Sequence, residues 1–165
     1  MSQLTITLPD GSNKQVAPGT SALEIARSIS ERLAEQALVA KVNGKLVDLD
    51  APIAEDASLQ ILTANDDEAL ETYRHSTAHL LAAAVLELYP ETKLGIGPPI
   101  ENGFYYDFDR PTPFTPDDLE KIEAKMAEIQ ARSVPFERKW IPKTEAIARY
   151  QEQGDWMKCE LVEDR

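Results

Sequence analysis

Two residues stand out first for the chemistry they could perform. His75 and His79 are both histidines of the chain, in the run His-Ser-Thr-Ala-His. A spacing of four on a helix puts two side chains on one face, a turn apart. Such a pair can chelate a metal or present two imidazoles to one substrate. Histidine titrates in the physiological window, so acid/base work is open to it. The zinc-protease pattern needs Glu directly after the first His. That position is Ser76, so a protease is excluded. Two ligands do not make a zinc site, where three or four are usual. The lone Cys159 is more often a small buried residue than a ligand. The plainer reading of the pair is two histidines at chance spacing.

A second segment with chemical potential runs from Ile96 to Asp109. Gly97-Pro98-Pro99 sets a rigid turn and Asn102-Gly103 marks another. Phe104-Tyr105-Tyr106 then begins a strand, with Phe104 and Tyr106 on one face and Tyr105 on the other. A tyrosine hydroxyl there can orient a substrate or a water. The alternative is a hairpin whose aromatics are core.

These residues need elements to position them. The histidines fall in a long helix from about Asp66 to Leu88, stopped by Pro90. Leu70, Tyr73, Leu81, Ala84 and Leu88 form its main apolar stripe. The histidines lie roughly opposite, with Ala82 and Leu86, which points to a cleft wall. Before this helix the pattern is short and mixed. Residues 4–8 alternate and meet Pro9-Asp10-Gly11, a strand and a turn; a second strand covers about 13–17. Ser21 and Glu24 form a capping box for a helix whose stripe runs Leu23, Ile25, Ala26, Ile29, Leu33. Strands over 38–42 and 45–49 flank Asn43-Gly44, a strong hairpin signal. A further strand covers 58–62. This order predicts a β-grasp, ubiquitin-like domain, with residues 63–68 as an acidic linker. After the aromatic segment, Thr115-Pro116 opens a helix with Leu119, Ile122, Met126 and Ile129 on its apolar face. A strand is expected over 134–141, a helix over 144–153 closed by Gly154, and a last strand over 156–162. The fold class is therefore α+β.

Composition narrows the function classes. The chain has 165 residues, 42% of them hydrophobic, enough for two small cored domains. Met1-Ser2-Gln3-Leu4 carries no basic region before an apolar run, so no secretory signal is expected. No apolar run is long enough to span a membrane, and one cysteine fits a reducing, cytoplasmic setting. With 17 basic against 29 acidic residues the net charge is −12. Nucleic-acid affinity rests on basic residues neutralising phosphates, so charge alone argues against an RNA partner.

The motifs taken together carry a resemblance. Arg74-His75-Ser76-Thr77-Ala78-His79-Leu80-Leu81, then Ile96-Gly97-Pro98 and Asn102-Gly103-Phe104-Tyr105-Tyr106-Asp107, resemble the second domain of threonyl-tRNA synthetases. The first 63 residues, with Leu-Pro-Asp-Gly and Val-Asn-Gly, resemble the TGS domain that precedes it. The resemblance covers the whole chain in order. It divides the chain into a TGS domain at 1–63 and the N-terminal portion of an editing domain at 64–165.

That resemblance implies an editing function, because the second domain of the family hydrolyses seryl-tRNA made in error. The family site uses a His-x-x-x-His helix, matched by His75 and His79. A tyrosine of the aromatic strand and a lysine also enter it, matched by Tyr106 and Lys158. A Cys-x-x-x-His segment completes the family site; no histidine follows His79, and Cys159 does not match it. The chain is thus expected to be cut inside the editing domain and to be inactive alone. No cofactor is expected in it. ATP and zinc belong to the catalytic domain expected elsewhere in the parent protein. The partner is threonine-accepting tRNA, mischarged with serine, and the parent is expected to be a homodimer through other domains. Two alternatives stand beside this: a TGS-containing regulatory binding module, and a freestanding aminoacyl-tRNA deacylase.

Overall fold

The computed structural model describes residues 3–136 and 139–163. The chain divides into two compact units, Met1–Tyr73 and Arg74–Arg165.

The first unit is a five-stranded mixed sheet with helices against it. Strands β1 (Leu4–Thr7) and β2 (Asn13–Val16) pair antiparallel. Between them the Asp10 carboxylate accepts from the Ser12 N–H and hydroxyl at 2.9 and 2.6 Å, and Gly11 takes φ +82°. Helix α1 (Ala22–Ile29) opens on the expected capping box of Ser21 and Glu24. It does not run on through Leu33. Ser30 is extended at φ −165° and ψ 134°, and its hydroxyl accepts from the Leu33 N–H to start a separate helix, α2 (Glu31–Gln36). A serine side chain can offer the backbone an alternative to the helical bond, and here it splits one helix in two.

Strands β3 (Ala37–Val42) and β4 (Lys45–Val47) form a hairpin through Asn43 and Gly44, both at positive φ (49° and 77°). That is the turn the pair Asn-Gly favours. Strand β5 (Ala57–Thr63) completes the order β2-β1-β5-β3-β4, with β1 and β5 parallel. Ile6, Ile25 and Leu59 are the fully buried heart of its core.

Helix α3 (Asp67–Leu88) follows. The Asp66 carboxylate accepts from the Thr63 N–H at 2.8 Å just before it. Ala69 is buried with Val39 and Leu62, and Lys41 pairs with Glu68. The first compact unit reaches Tyr73, beyond the end of β5 at Thr63. Tyr73, expected on the apolar stripe, is 55% exposed; the buried positions of the helix are Ala69, Ala78, Ala82, Ala84 and Val85.

The second unit packs the rest of α3 against α4 (Pro116–Ala131), with Ala84, Val85 and Ile122 at its core and Phe108 and Phe114 against it. Helix α4 has a capping box of Thr115 and Asp118, and Asp118 also accepts from the Tyr89 hydroxyl at 2.7 Å. Leu119, expected on the buried face, is 60% exposed. Arg132 bonds Glu87 of α3 at 2.6 Å and Glu128 of α4 at 2.6 Å. The aromatic segment makes only short pairings: β6 (Lys93–Leu94) with β9 (Phe108–Asp109), and β7 (Pro99–Ile100) with β8 (Gly103–Phe104).

Two expected strands are overturned. Over 134–141 the described residues form no strand; Glu137 and Arg138 lie outside them. Phe136 is 77% and Trp140 90% exposed. Alternation alone makes no strand without a partner edge, and Pro135 lacks a donor. The last strand is instead helix α6 (Trp156–Glu163), folded back on α5 (Lys143–Glu152) through Gly154 at φ +64°. The Asp155 carboxylate accepts from the Lys158 N–H at 3.2 Å, an N-cap that a strand over these residues would not need.

Candidate functional site

The histidine helix supplies one wall of a cleft in the second unit. His75 and His79 stack, with ring centroids 4.8 Å apart and planes at 25°. His79 lines the cleft, together with Ala82, Ala83 and Leu86 of the same helix. Its side chain remains exposed on one side, yet partial burial holds its imidazole below the usual histidine range. The adjacent His75 and Lys158 push the same way, since a second positive charge beside them is unfavourable. The lowered pKa favours the neutral imidazole, the form that can accept a proton. His75 supports that ring by stacking and is not itself on the cleft lining. Among the described residues no group of three or more His, Cys, Asp or Glu is arranged to hold a metal ion.

Tyr106 also lines the cleft. Its ring stacks on Phe108 at 4.9 Å and 19°. Burial raises its hydroxyl pKa above the usual value, and Asp155 and Tyr150 add to the effect. Gly97 explains how the ring fits: a Cβ built there would stand 2.2 Å from Tyr106 Cδ2. Gly95 is also crowded, though less so, with Asp107 Cβ at 2.8 Å from such an atom. The Gly95 N–H donates to the Asp107 carbonyl and the Asp107 N–H to that of Ile96, at 2.8 and 2.9 Å. The glycines thus let two backbone segments and an aromatic ring approach closely, a role beyond the rigid turn expected from the sequence.

Helix α6 brings the fourth expected residue. Lys158 Nζ donates to the Gly95 carbonyl at 2.8 Å and lies 6.0 Å from the Tyr106 ring centroid. Burial pushes its ammonium below the ordinary lysine range, and Asp155 pulls it back. Arg74, next to His75 in the helix, donates to the Glu101 carbonyl at 2.7 Å and is not on the cleft lining. His79, Tyr106 and Lys158 therefore line one cleft of about 700 Å³. Further lining residues that sequence reasoning passed over are Thr92, Lys93, Tyr150, Gln153 and Asp155. Reading 156–162 as a helix would have exposed Asp155 as its cap and placed Lys158 one turn in. Cys159, beside them, has its thiol pushed up by burial and is no ready nucleophile.

This arrangement can polarise a water with a neutral imidazole and hold an oxygen-rich group with an ammonium. Residues 4–63 match the family model described as the TGS domain, so the chain carries a TGS domain on the mixed sheet described above. Over nearly its whole length it is similar to the N-terminal region of threonine–tRNA ligases. It is 51% identical over 161 residues to the threonine–tRNA ligase of Desulforamulus reducens, 98% of this chain and 25% of that protein. The corresponding ligase of Citrifermentans bemidjiense is 48% identical over 164 residues, 99% of this chain and 26% of that protein. That of Maricaulis maris is 48% identical over 161 residues, 98% and 25%. The chain spans about a quarter of the length of the curated relatives it matches. Among the described residues no helix is long and apolar enough to cross a membrane.

Proposed function

We propose that the cleft holding His79, Tyr106 and Lys158 is one wall of a hydrolytic editing site that cleaves seryl-tRNA made in error. The observation that carries this is the convergence of three residues from three separate segments on one cleft. A neutral imidazole beside a desolvated ammonium suits ester hydrolysis. On this reading His79 takes a proton from water as its oxygen bonds to the seryl carbonyl carbon. The remaining N–H bonds of Lys158 hold the developing oxyanion or the terminal ribose. The carbon–oxygen bond to the ribose then breaks, the ribose oxygen regains a proton, and serine and free tRNA leave. Tyr106 orients the water or the ribose through its hydroxyl. His75 keeps the His79 ring in place.

The whole protein, on the same reading, joins threonine to its tRNA with ATP in protein biosynthesis, in the cytoplasm. ATP and zinc belong to a catalytic domain outside residues 1–165, and a homodimer forms through other domains. Residues 64–165 are the N-terminal portion of the editing domain, after the TGS domain. The family's Cys-x-x-x-His segment is not within this sequence, so the 165-residue chain alone is expected to hydrolyse seryl-tRNA only marginally.

The test is a deacylation assay on the ligase that contains this region, with seryl- and threonyl-tRNA. His79→Ala is expected to lower seryl-tRNA hydrolysis about 10²- to 10⁴-fold, the contribution of a positioned acid/base group, while threonine attachment persists. Unchanged hydrolysis in that variant would remove the proposal.

A further inference from the structure

The cleft carries a cation that ester hydrolysis does not use. The chain has a net charge of −12, yet the charged lining of this cleft is two lysines, Lys93 and Lys158, against one aspartate, Asp155. Lys93 stands on β6, beside the buried Thr92. Its Nζ donates to the Gln153 carbonyl at 3.0 Å, at the C-terminal end of α5. That bond holds the ammonium in place and uses one of its three donors. Among the described residues no ion pair of Lys93 with a carboxylate is found, although Asp155 shares the lining. Lys158 is held in the same way, on the Gly95 carbonyl. The cleft therefore presents two fixed ammonium groups, each with spare N–H bonds.

We propose that Lys93 binds a phosphate, so that the cleft takes the terminal nucleotide of its ligand rather than the nucleoside alone. This rests on the reading that an aminoacyl ester at the end of a tRNA enters here, with Lys158 at the ester. A nucleic-acid end carries a phosphate on the far side of its ribose from the acyl group. A second fixed cation in the same cleft gives that charge a partner. It also supplies what the overall charge withholds: local attraction for RNA in an acidic protein.

The experiment measures binding to the 165-residue chain by calorimetry, with two non-hydrolysable probes. One is adenosine carrying serine in amide linkage at the 3′ position; the other is the same compound with a 5′-phosphate. The phosphorylated probe is expected to bind about tenfold tighter, the increment of one charge-assisted hydrogen bond. Its log affinity should fall more steeply with log salt, by about 0.7 in slope, as for one phosphate of a single strand. Lys93→Met should abolish both differences between the two probes. Lys93→Arg should retain most of the phosphate increment. Thermal denaturation of each variant separates loss of the α5 contact from loss of a ligand contact. If Lys93→Met does not fold, the wild-type increment and its salt slope, with Lys93→Arg, still decide. A phosphate increment that survives in folded Lys93→Met, or no increment in the wild type, overturns the role of Lys93 alone. Failure of the wild type to bind either probe overturns this inference, while the deacylation assay on the ligase that contains this region decides the editing reading separately.

Discussion

Gly97 and Tyr106 occupy each other's space, so the ring that forms the cleft surface depends on a missing methyl. Gly97→Ala would set a Cβ 2.2 Å from Tyr106 Cδ2, far inside contact distance. The ring must turn, losing its stack on Phe108. Overpacking of this kind costs about 1–3 kcal/mol, and chemical denaturation of the variant measures it. In a double-mutant cycle with Tyr106→Ala the penalty should largely vanish; strict additivity would show that the clash lies elsewhere. Thr92 is an opposite case. It is 3% exposed, and its hydroxyl has no hydrogen-bond partner among the described residues. Thr92→Val keeps the shape and removes the unpaired group, so stability should rise by about 1 kcal/mol. A fall in melting temperature would mean that a bound water satisfies the hydroxyl. His79 sets a pH dependence. Its folded pKa lies below its unfolded value, so the unfolded chain takes up the proton first as pH falls. The stability linked to it is present above about pH 6.5 and declines below that. His79→Gln should flatten the stability profile between pH 5 and 7, and an unaltered slope in urea titrations would refute this.

Helix ends decide which of these side chains meet, and some of those ends were readable. The capping box at Ser21 and the N-cap with its proline at Thr115 needed only their own four residues, and both are present. The Asn43-Gly44 turn is equally local. Where local and tertiary signals diverge, legibility fails. Val134 to Ile141 alternates like a strand, but no neighbouring edge receives it among the described residues. Residues 156–162 alternate weakly too, yet the cap at Asp155 and packing against α5 make them helical. His75, His79, Tyr106 and Lys158 stand out through family motifs; the histidine pair and Tyr106 also have a geometric reason in the sequence, and Lys158 has none. Lys93 and Tyr150 carry no motif and become visible only when the elements fold together. Asp155 can be tested as a cap. Asp155→Ala should cost about 1 kcal/mol, and Asp155→Asn, which caps equally well, should cost little. Asp155→Asn should also bring the Tyr106 hydroxyl back toward its ordinary range, read by ultraviolet titration, since the Asp155 charge helps raise it. Equal destabilisation by both variants would show that the charge, not the cap, matters.

At the scale of the molecule, the two units divide at Tyr73 and Arg74, inside a continuous helix. The TGS match ends at residue 63, which is where β5 ends. The extra residues of the first unit are not a passive tether. Ala69 is fully buried with Val39 and Leu62, Lys41 pairs with Glu68, and the Asp66 carboxylate holds the Thr63 N–H. A piece ending at residue 63 would expose Leu62 and Val39 and leave Lys41 without that partner. The exposed ion pair contributes little. Burial of the Ala69 methyl and re-covering of Leu62 contribute more, at about 25 cal/mol per Å² of apolar surface. Residues 1–73 should therefore be more stable than residues 1–63 by about 1–3 kcal/mol in urea denaturation. Ala69→Ser within 1–73 should remove part of that difference, because it buries a hydroxyl where a methyl packs. Equal midpoints for the two pieces would mean that the β-grasp sheet is complete at β5 and that the helix start adds nothing to it.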